Sequence, residues 1–363
     1  MRLMHWRGIL IILSAVVLVV ILFAVPLGVL LPRGVYVTPT ITATSTPTIT
    51  ITPTAYKYTI LDDFTGAQML ASIGSADGFE YFTGADPTHG YVNYGAHSEL
   101  LEAIGTKLKI DIGANIGQPR NAIRLERTKL FDSGLVVLDV EHIPSNLSSW
   151  PAFWTTGHVA PPSTWALNGE IDILEQVNNS AFNSCTLHTS TRPGGTGCAM
   201  DPDLGFKTNK CYAESGSKTC GYNSSDFCPF GGCSIDQGTG TFGTVFNNNL
   251  GGTFAMQLLS NGSITIWFWP RGETVPDFST AVSDDFVTSV PTNTIKFTRC
   301  ADQFSQQQVI INTTLCGDWA GASCCNGDHT WDNNQGCVDW VNSHTLDESF
   351  WLINYFQFYD VNF

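Results

Sequence analysis

The stretch Asn168-Gly169-Glu170-Ile171-Asp172-Ile173-Leu174-Glu175-Gln176-Val177-Asn178 threads three carboxylates through β-branched and aliphatic residues. Such acids are costly in a buried strand unless their face lines a wet cleft. Strand alternation puts Glu170 and Asp172 on one face and Glu175 on the other, so one extra residue, at Ile173 or Leu174, must bulge to bring Glu175 round. With that bulge the two glutamates stand about four strand positions, or about 13 Å, apart. Side chains each reaching about 4 Å then leave their carboxyl groups roughly 5 Å apart. That spacing suits retaining glycoside hydrolysis, whereas an inverting pair needs about 6.5–9.5 Å to admit a water. The competing reading is a sheet face whose acids are merely solvated or bind calcium.

Outward from this segment, short apolar or alternating runs recur at Leu108–Ile112, Gly134–Val140, Ile171–Leu174, Thr253–Leu259, Ser263–Phe268, Val309–Ile311 and Trp351–Phe358. Gly, Asn, Asp, Ser and Pro bound them, and no long 3.6-residue period separates them. The pattern predicts an all-β chain, with a single short helix over Thr345–Tyr355 running into the last strand. Without helical crossovers, two packed antiparallel sheets are the expected architecture. Trp267 and Trp269 alternate with Phe268 and so share one face, which can be core or cleft.

Composition narrows the partners. The 363 residues are 43% hydrophobic and 13% charged, which excludes a disordered tail or a solvated coiled coil. Seventeen basic against 32 acidic residues give a formal charge of −15, so the basic footprint of a nucleic-acid binder is missing. All eleven cysteines lie between Cys185 and Cys337 and are read as disulfides rather than zinc ligands; their odd number leaves at least one thiol free or paired outside the chain. N-x-S/T sequons at Asn146, Asn178, Asn223, Asn261 and Asn312 agree with a secretory route.

The N-terminus carries Arg2 and Arg7, then no charge from Gly8 to Leu31, a run long enough to cross a bilayer. Residues 1–33 are therefore expected to form a cytoplasmic tip and signal anchor, giving a type II single-pass protein at the cell surface. Cleavage of this segment would instead release a secreted protein. Residues 34–55, rich in Thr and Pro, read as an extended stalk, and residues 56–363 as one globular β-sandwich.

The carboxylate segment resembles the E-x-D-x-x-E signature of glycoside hydrolase family 16, in the form found in laminarinase-type endo-1,3(4)-β-glucanases of the fungal secreted branch. The likeness continues through Gly90-Tyr91-Val92-Asn93-Tyr94, Trp150-Pro151-Ala152-Phe153-Trp154, Leu187-His188-Thr189, Trp267-Phe268-Trp269-Pro270-Arg271 and Cys316-Gly317-Asp318-Trp319-Ala320-Gly321. It implies a concanavalin-like β-jelly roll whose concave face is a glycan cleft, with Glu170 as nucleophile, Glu175 as acid/base and Asp172 assisting the nucleophile. Three crowded carboxyl groups cannot all ionise cheaply, so their pKa values are expected to be pushed apart. The resemblance further places His188 on the neighbouring strand close to the acid/base, and Asn93, Trp150, Trp154, Arg271 and Trp319 in the cleft. It implies a monomeric retaining endo-β-glucanase acting on 1,3- or mixed 1,3/1,4-β-glucan, with no cofactor required for catalysis and no metal among the site residues, though a structural calcium ion stays open. A cell-wall transglycosylase and a non-catalytic glucan-binding receptor are the alternatives. Gln176, where the family usually has Gly, and Gln306-Gln307-Gln308, in a stretch that often carries a His, depart from the pattern, as do Cys185, Cys324 and Cys325.

Overall fold

The computed structural model describes residues 57–158, 165–166, 168–189, 198–200, 219–220, 222–223, 226–227, 233–279, 294–298, 303–325 and 335–362, all within one compact unit, Thr52–Phe363. The expected signal anchor and stalk lie outside the described residues, as do the side chains of the Asn223 sequon and of Cys198, Cys211, Cys220, Cys228, Cys233 and Cys300. Among the described residues no helix is long and apolar enough to cross a membrane.

Two antiparallel sheets make the body, as the strand pattern predicts. The seven-stranded inner sheet runs in spatial order Cys233–Thr239, Phe182–His188, Glu170–Glu175, Ser149–Gly157, Gln307–Leu315, Arg124–Arg127 and Phe79–Tyr81. The ten-stranded outer sheet is centred on Gly252–Leu258, Gly134–His142 and Trp351–Asn362, with Ile264–Pro270 outside the first of these and Lys57–Thr65 also paired to Trp351–Asn362. Between the sheets lies the main core. Phe153, Ile171, Leu174, Leu187, Val309 and Ile311 from the inner sheet meet Val136, Leu138, Phe254, Ile266, Phe268 and Phe356 from the outer one. A second apolar layer covers the opposite face of the outer sheet, where Trp267 and Trp269 pack with Leu135, Val137, Tyr359 and Phe278. The outer sheet is thus buried on both faces at its centre, which is why its strands read as continuous apolar runs rather than alternations. It also assigns the Trp267/Trp269 face to core.

The inner sheet is apolar only toward the core, and its other face carries the polar residues of the site. The helix expected over Thr345–Tyr355 lies earlier, at Gln335–Ser343. There Cys337 and Val341 supply its buried side, while Thr345–Phe350 turns into the last strand. Cys337 is bonded to Cys316, and Cys324 to Cys325. Cys185 is a free, buried thiol, which accounts for the odd cysteine among the described residues.

Candidate active site

Glu170–Glu175 holds the middle of the inner sheet, and its pairing shows how three acids reach one face. Asp172 pairs with Trp154, but the next pair is Leu174 with Phe153, leaving Ile173 as an extra, unpaired residue. Ile173 and Leu174 both enter the core, so the alternation resets and Glu175 returns to the face of Glu170 and Asp172. The bulge is where the acid spacing requires it. Gly169 sets the entry: its φ of +75° and the Phe304 ring, 2.3 Å from where a Cβ would stand, leave room for no other residue.

Glu170 and Asp172 are almost out of water, 9% and 2% exposed, while Glu175 is half-buried. The Trp165 indole N–H donates to Glu170 Oε2 at 2.8 Å, and the Trp150 indole N–H donates to Glu175 Oε1 at 2.7 Å. His188 Nε2 lies 3.2 Å from Asp172 Oδ2 and 3.8 Å from Glu170 Oε1. Burial, and for both glutamates the neighbouring Asp172 charge, push all three carboxyl groups up to about 8. The sequence predicts values pushed apart. The structure raises them together, because all three share one desolvated face, and their protons belong to the cluster rather than to one member.

His188 requires a correction. It sits opposite Glu170 in the ladder, with Thr186 opposite Asp172, so its ring faces Glu170 and Asp172 rather than the expected acid/base Glu175. The antiparallel register decides this: Glu175 lies beyond the bulge, toward Asn183 at the other end of the partner strand. Trp150 and Trp154 project from Ser149–Gly157 onto the site face. Trp319, carried on the single π-turn Gly317–Gly321, meets the Trp150 ring edge-on with centroids 5.6 Å apart. The Cys316–Cys337 bond anchors that turn at its start. The Trp154 N–H donates to Asn312 Oδ1 at 2.8 Å, and the Arg124 guanidinium lies over the Trp154 ring. Asn93 is exposed at the neighbouring Val92–Tyr94 bridge, with its amide donating to Asn121 Oδ1.

Arg271 is not brought to this face. It ends an outer-sheet strand and grips Asp139 with two hydrogen bonds of 2.9 Å. The buried Asp139 charge claims its guanidinium, so the expected role in the cleft is withdrawn. Sequence reasoning also misses Trp165 and Arg124, which no short pattern marks, and reads Asn312 only as a sequon, whereas its amide is committed to Trp154 and Tyr94.

Among the described residues, two side-chain groups have metal-ligating composition. The ligand atoms of Glu170, Asp172 and His188 lie within 4.8 Å of one another, as do the sulfurs of Cys324, Cys325 and Cys337. The second group is accounted for by disulfides, and neither is the cage of six to eight oxygens that calcium takes. Chemically, the face offers two glutamates on either side of a bulge, an aspartate between them and aromatic rings that can stack on sugar C–H surfaces.

A family model described as the XgeA-like catalytic domain of glycoside hydrolase family 16 matches residues 79–359. A probable endo-1,3(4)-β-glucanase of Aspergillus niger is 31% identical over 326 residues, covering 84% of this chain and 40% of the relative. A probable glycosidase of Schizosaccharomyces pombe is 32% identical over 322 residues, covering 82% of this chain and 68% of the relative. This chain spans less than half the length of the Aspergillus niger and Aspergillus flavus relatives it matches. Among solved structures, an elongating family 16 β-1,3-glucosyltransferase superposes with a TM-score of 0.65 at 29% identity, covering 84% of this chain and all of the other. Laminarinase 16A of Phanerochaete chrysosporium, with β-glucans in donor and acceptor sites, does so with 0.62 at 29% identity, covering 84% and 99%.

Proposed function

Because the chain belongs to glycoside hydrolase family 16, we propose that it is a retaining endo-β-glucanase acting on 1,3- or mixed 1,3/1,4-linked glucan. The observation that carries this reading is the bulge at Ile173, which gathers Glu170, Asp172 and Glu175 on one water-poor face. In the first step protonated Glu175 gives its proton to the glycosidic oxygen while ionised Glu170 attacks the anomeric carbon. The leaving sugar departs as an alcohol and a glycosyl ester forms on Glu170. In the second step Glu175, now a carboxylate, takes a proton from water, whose oxygen displaces Glu170 and restores the original configuration. Asp172, buried beside His188, assists the nucleophile. The raised acidity range of the cluster favours an acid that is still protonated near neutral pH. These steps are complete without a cofactor. The indole rings of Trp150, Trp154 and Trp319 hold glucose units on either side of the scissile bond. The N-terminal segment is proposed to tether the enzyme outside the cell or to direct its secretion.

Transfer to a sugar hydroxyl in place of water is the second reading, favoured by the superposition on the elongating glucosyltransferase. Incubation with separate pure 1,3-, 1,4- and mixed-linked β-glucans, with products sized by chromatography, tests both. Shorter oligosaccharides from the 1,3 and mixed-linked glucans support hydrolysis. Products longer than the substrate favour transfer, and binding without turnover would make the protein a glucan receptor.

A further inference from the structure

Asn183 lies on Phe182–His188, directly across from the bulge, with no exposed surface. Its strand-mates His188, Thr186 and Ser184 alternate onto the site face, so Asn183 falls, with Cys185 and Leu187, on the core side, where a polar amide is expensive unless every group is bonded. Every group is. Asn183 Nδ2 donates to the carbonyl of Ile173 at 2.9 Å and to Gln237 Oε1 at 2.8 Å, and Oδ1 accepts the backbone N–H of Glu175 at 2.7 Å. Its own N–H donates to the Thr241 hydroxyl, which donates in turn to the Gly238 carbonyl.

These contacts replace a missing ladder. Backbone pairing between Glu170–Glu175 and Phe182–His188 stops at Asp172 opposite Thr186; beyond it Asn183 takes up the Glu175 N–H and the Ile173 carbonyl, to which the Cys185 thiol also donates. On its other side Phe182–His188 meets a second irregularity, since Phe182 pairs with Thr239 but Ser184 with Asp236. One asparagine therefore bridges two bulges.

We propose that Asn183 is the positioning residue that fixes Glu175, oriented by Gln237 and Thr241. It clamps the Glu175 backbone from the core side while Trp150 holds the carboxyl group from the site side. Glu170 needs no such clamp, because it stands in regular pairing with Thr156 and His188. A disturbed Asn183 should therefore harm the proton-transfer steps and spare nucleophilic attack. This inference rests on Glu175 being the acid/base.

The test compares a 1,3-β-glucan, whose leaving group needs a proton, with a dinitrophenyl laminaribioside, whose leaving group does not. For Asn183→Ala the expected result is a fall in kcat on glucan of about 10²-fold with KM nearly unchanged, the scale of a misplacement of about 1 Å. On the aryl substrate the pre-steady-state burst of dinitrophenol should keep its wild-type rate, because Glu170 still attacks. Asn183→Asp keeps the acceptor for the Glu175 N–H and should recover part of the glucan activity. Gln237→Met leaves Asn183 in place and should show a smaller loss with the same selectivity; it decides the matter if Asn183→Ala does not fold. Equal losses on both substrates, or unchanged kinetics, in the folded variants would overturn the proposal. Glu175→Ala is measured in parallel. If it discriminates between the substrates and the Asn183 and Gln237 variants do not, only the positioning role fails; if it does not discriminate, the acid/base reading fails and the positioning role with it.

Discussion

On the outer sheet, buried Asp139 receives two hydrogen bonds of 2.9 Å from Arg271, one of 2.6 Å from the Asn354 amide and another from the Thr253 hydroxyl. On the site face of the inner sheet, Glu170 and Asp172 are also buried and Glu175 is half-buried, yet among the described residues no Arg or Lys pairs with them, and they share one imidazole and two indole N–H groups. A carboxylate that only has to stay folded is given a cation, as Asp62 also is by Arg127 at 2.7 Å. The three without one are pushed up to about 8 and can hold or release protons near neutral pH. The difference separates structural acids from acids poised for chemistry.

Glu170→Gln puts the contrast at greatest risk. It should abolish turnover, because the amide cannot attack the anomeric carbon. It should also stabilise the fold in alkali. A carboxyl group whose folded pKa lies above its unfolded one binds more protons in the native state, so stability falls as pH rises from about 4.5 to about 8 and then stays flat. The Tm of Glu170→Gln should therefore exceed wild type at pH 9 and match it near pH 4. A variant less stable than wild type at pH 9 would mean that the cluster is held by bonds the structure does not contain.

Arg271→Ala should behave in the opposite way. Left without its cation, buried Asp139 should cost about 3 kcal/mol in urea unfolding. Activity per folded molecule should be unchanged. A tenfold loss of turnover with unaltered stability would return Arg271 to the site, where its sequence context places it.

Smallest is the effect of Trp165→Phe, which keeps a ring against His188 and removes only the N–H to Glu170. That hydrogen bond lowers the pKa of Glu170, so its loss should move the acidic limb of kcat/KM to higher pH and reduce kcat severalfold. An unmoved limb would show that Trp165 only packs.

Much of this contrast is legible in the chain itself. The apolar runs mark the strands to within a residue or two at most ends, because periodicity and turn residues are local signals. The acid spacing alone demands the bulge, which the register then assigns to Ile173. Register between strands is what the sequence hides. The resemblance sets His188 close to the acid/base, whereas the ladder pairs it with Glu170. The resemblance sets Arg271 in the cleft, but its partner Asp139 lies 132 residues away in the chain. Asn183 has no local signature, because its importance comes from two bulges on two neighbouring strands.

The double-displacement assignment of Glu170 and Glu175 is tested most directly by azide rescue of Glu175→Ala on a dinitrophenyl laminaribioside, with the anomeric configuration of the glycosyl azide read by NMR. Loss of the proton donor should cost about 10²–10⁴-fold on glucan and less on the activated substrate, whose glycosyl ester on Glu170 should accumulate. Azide, which needs no deprotonation, should then restore turnover and give the β-glycosyl azide, the product of two inversions. An α-glycosyl azide would contradict the account and make the two glutamates an inverting pair.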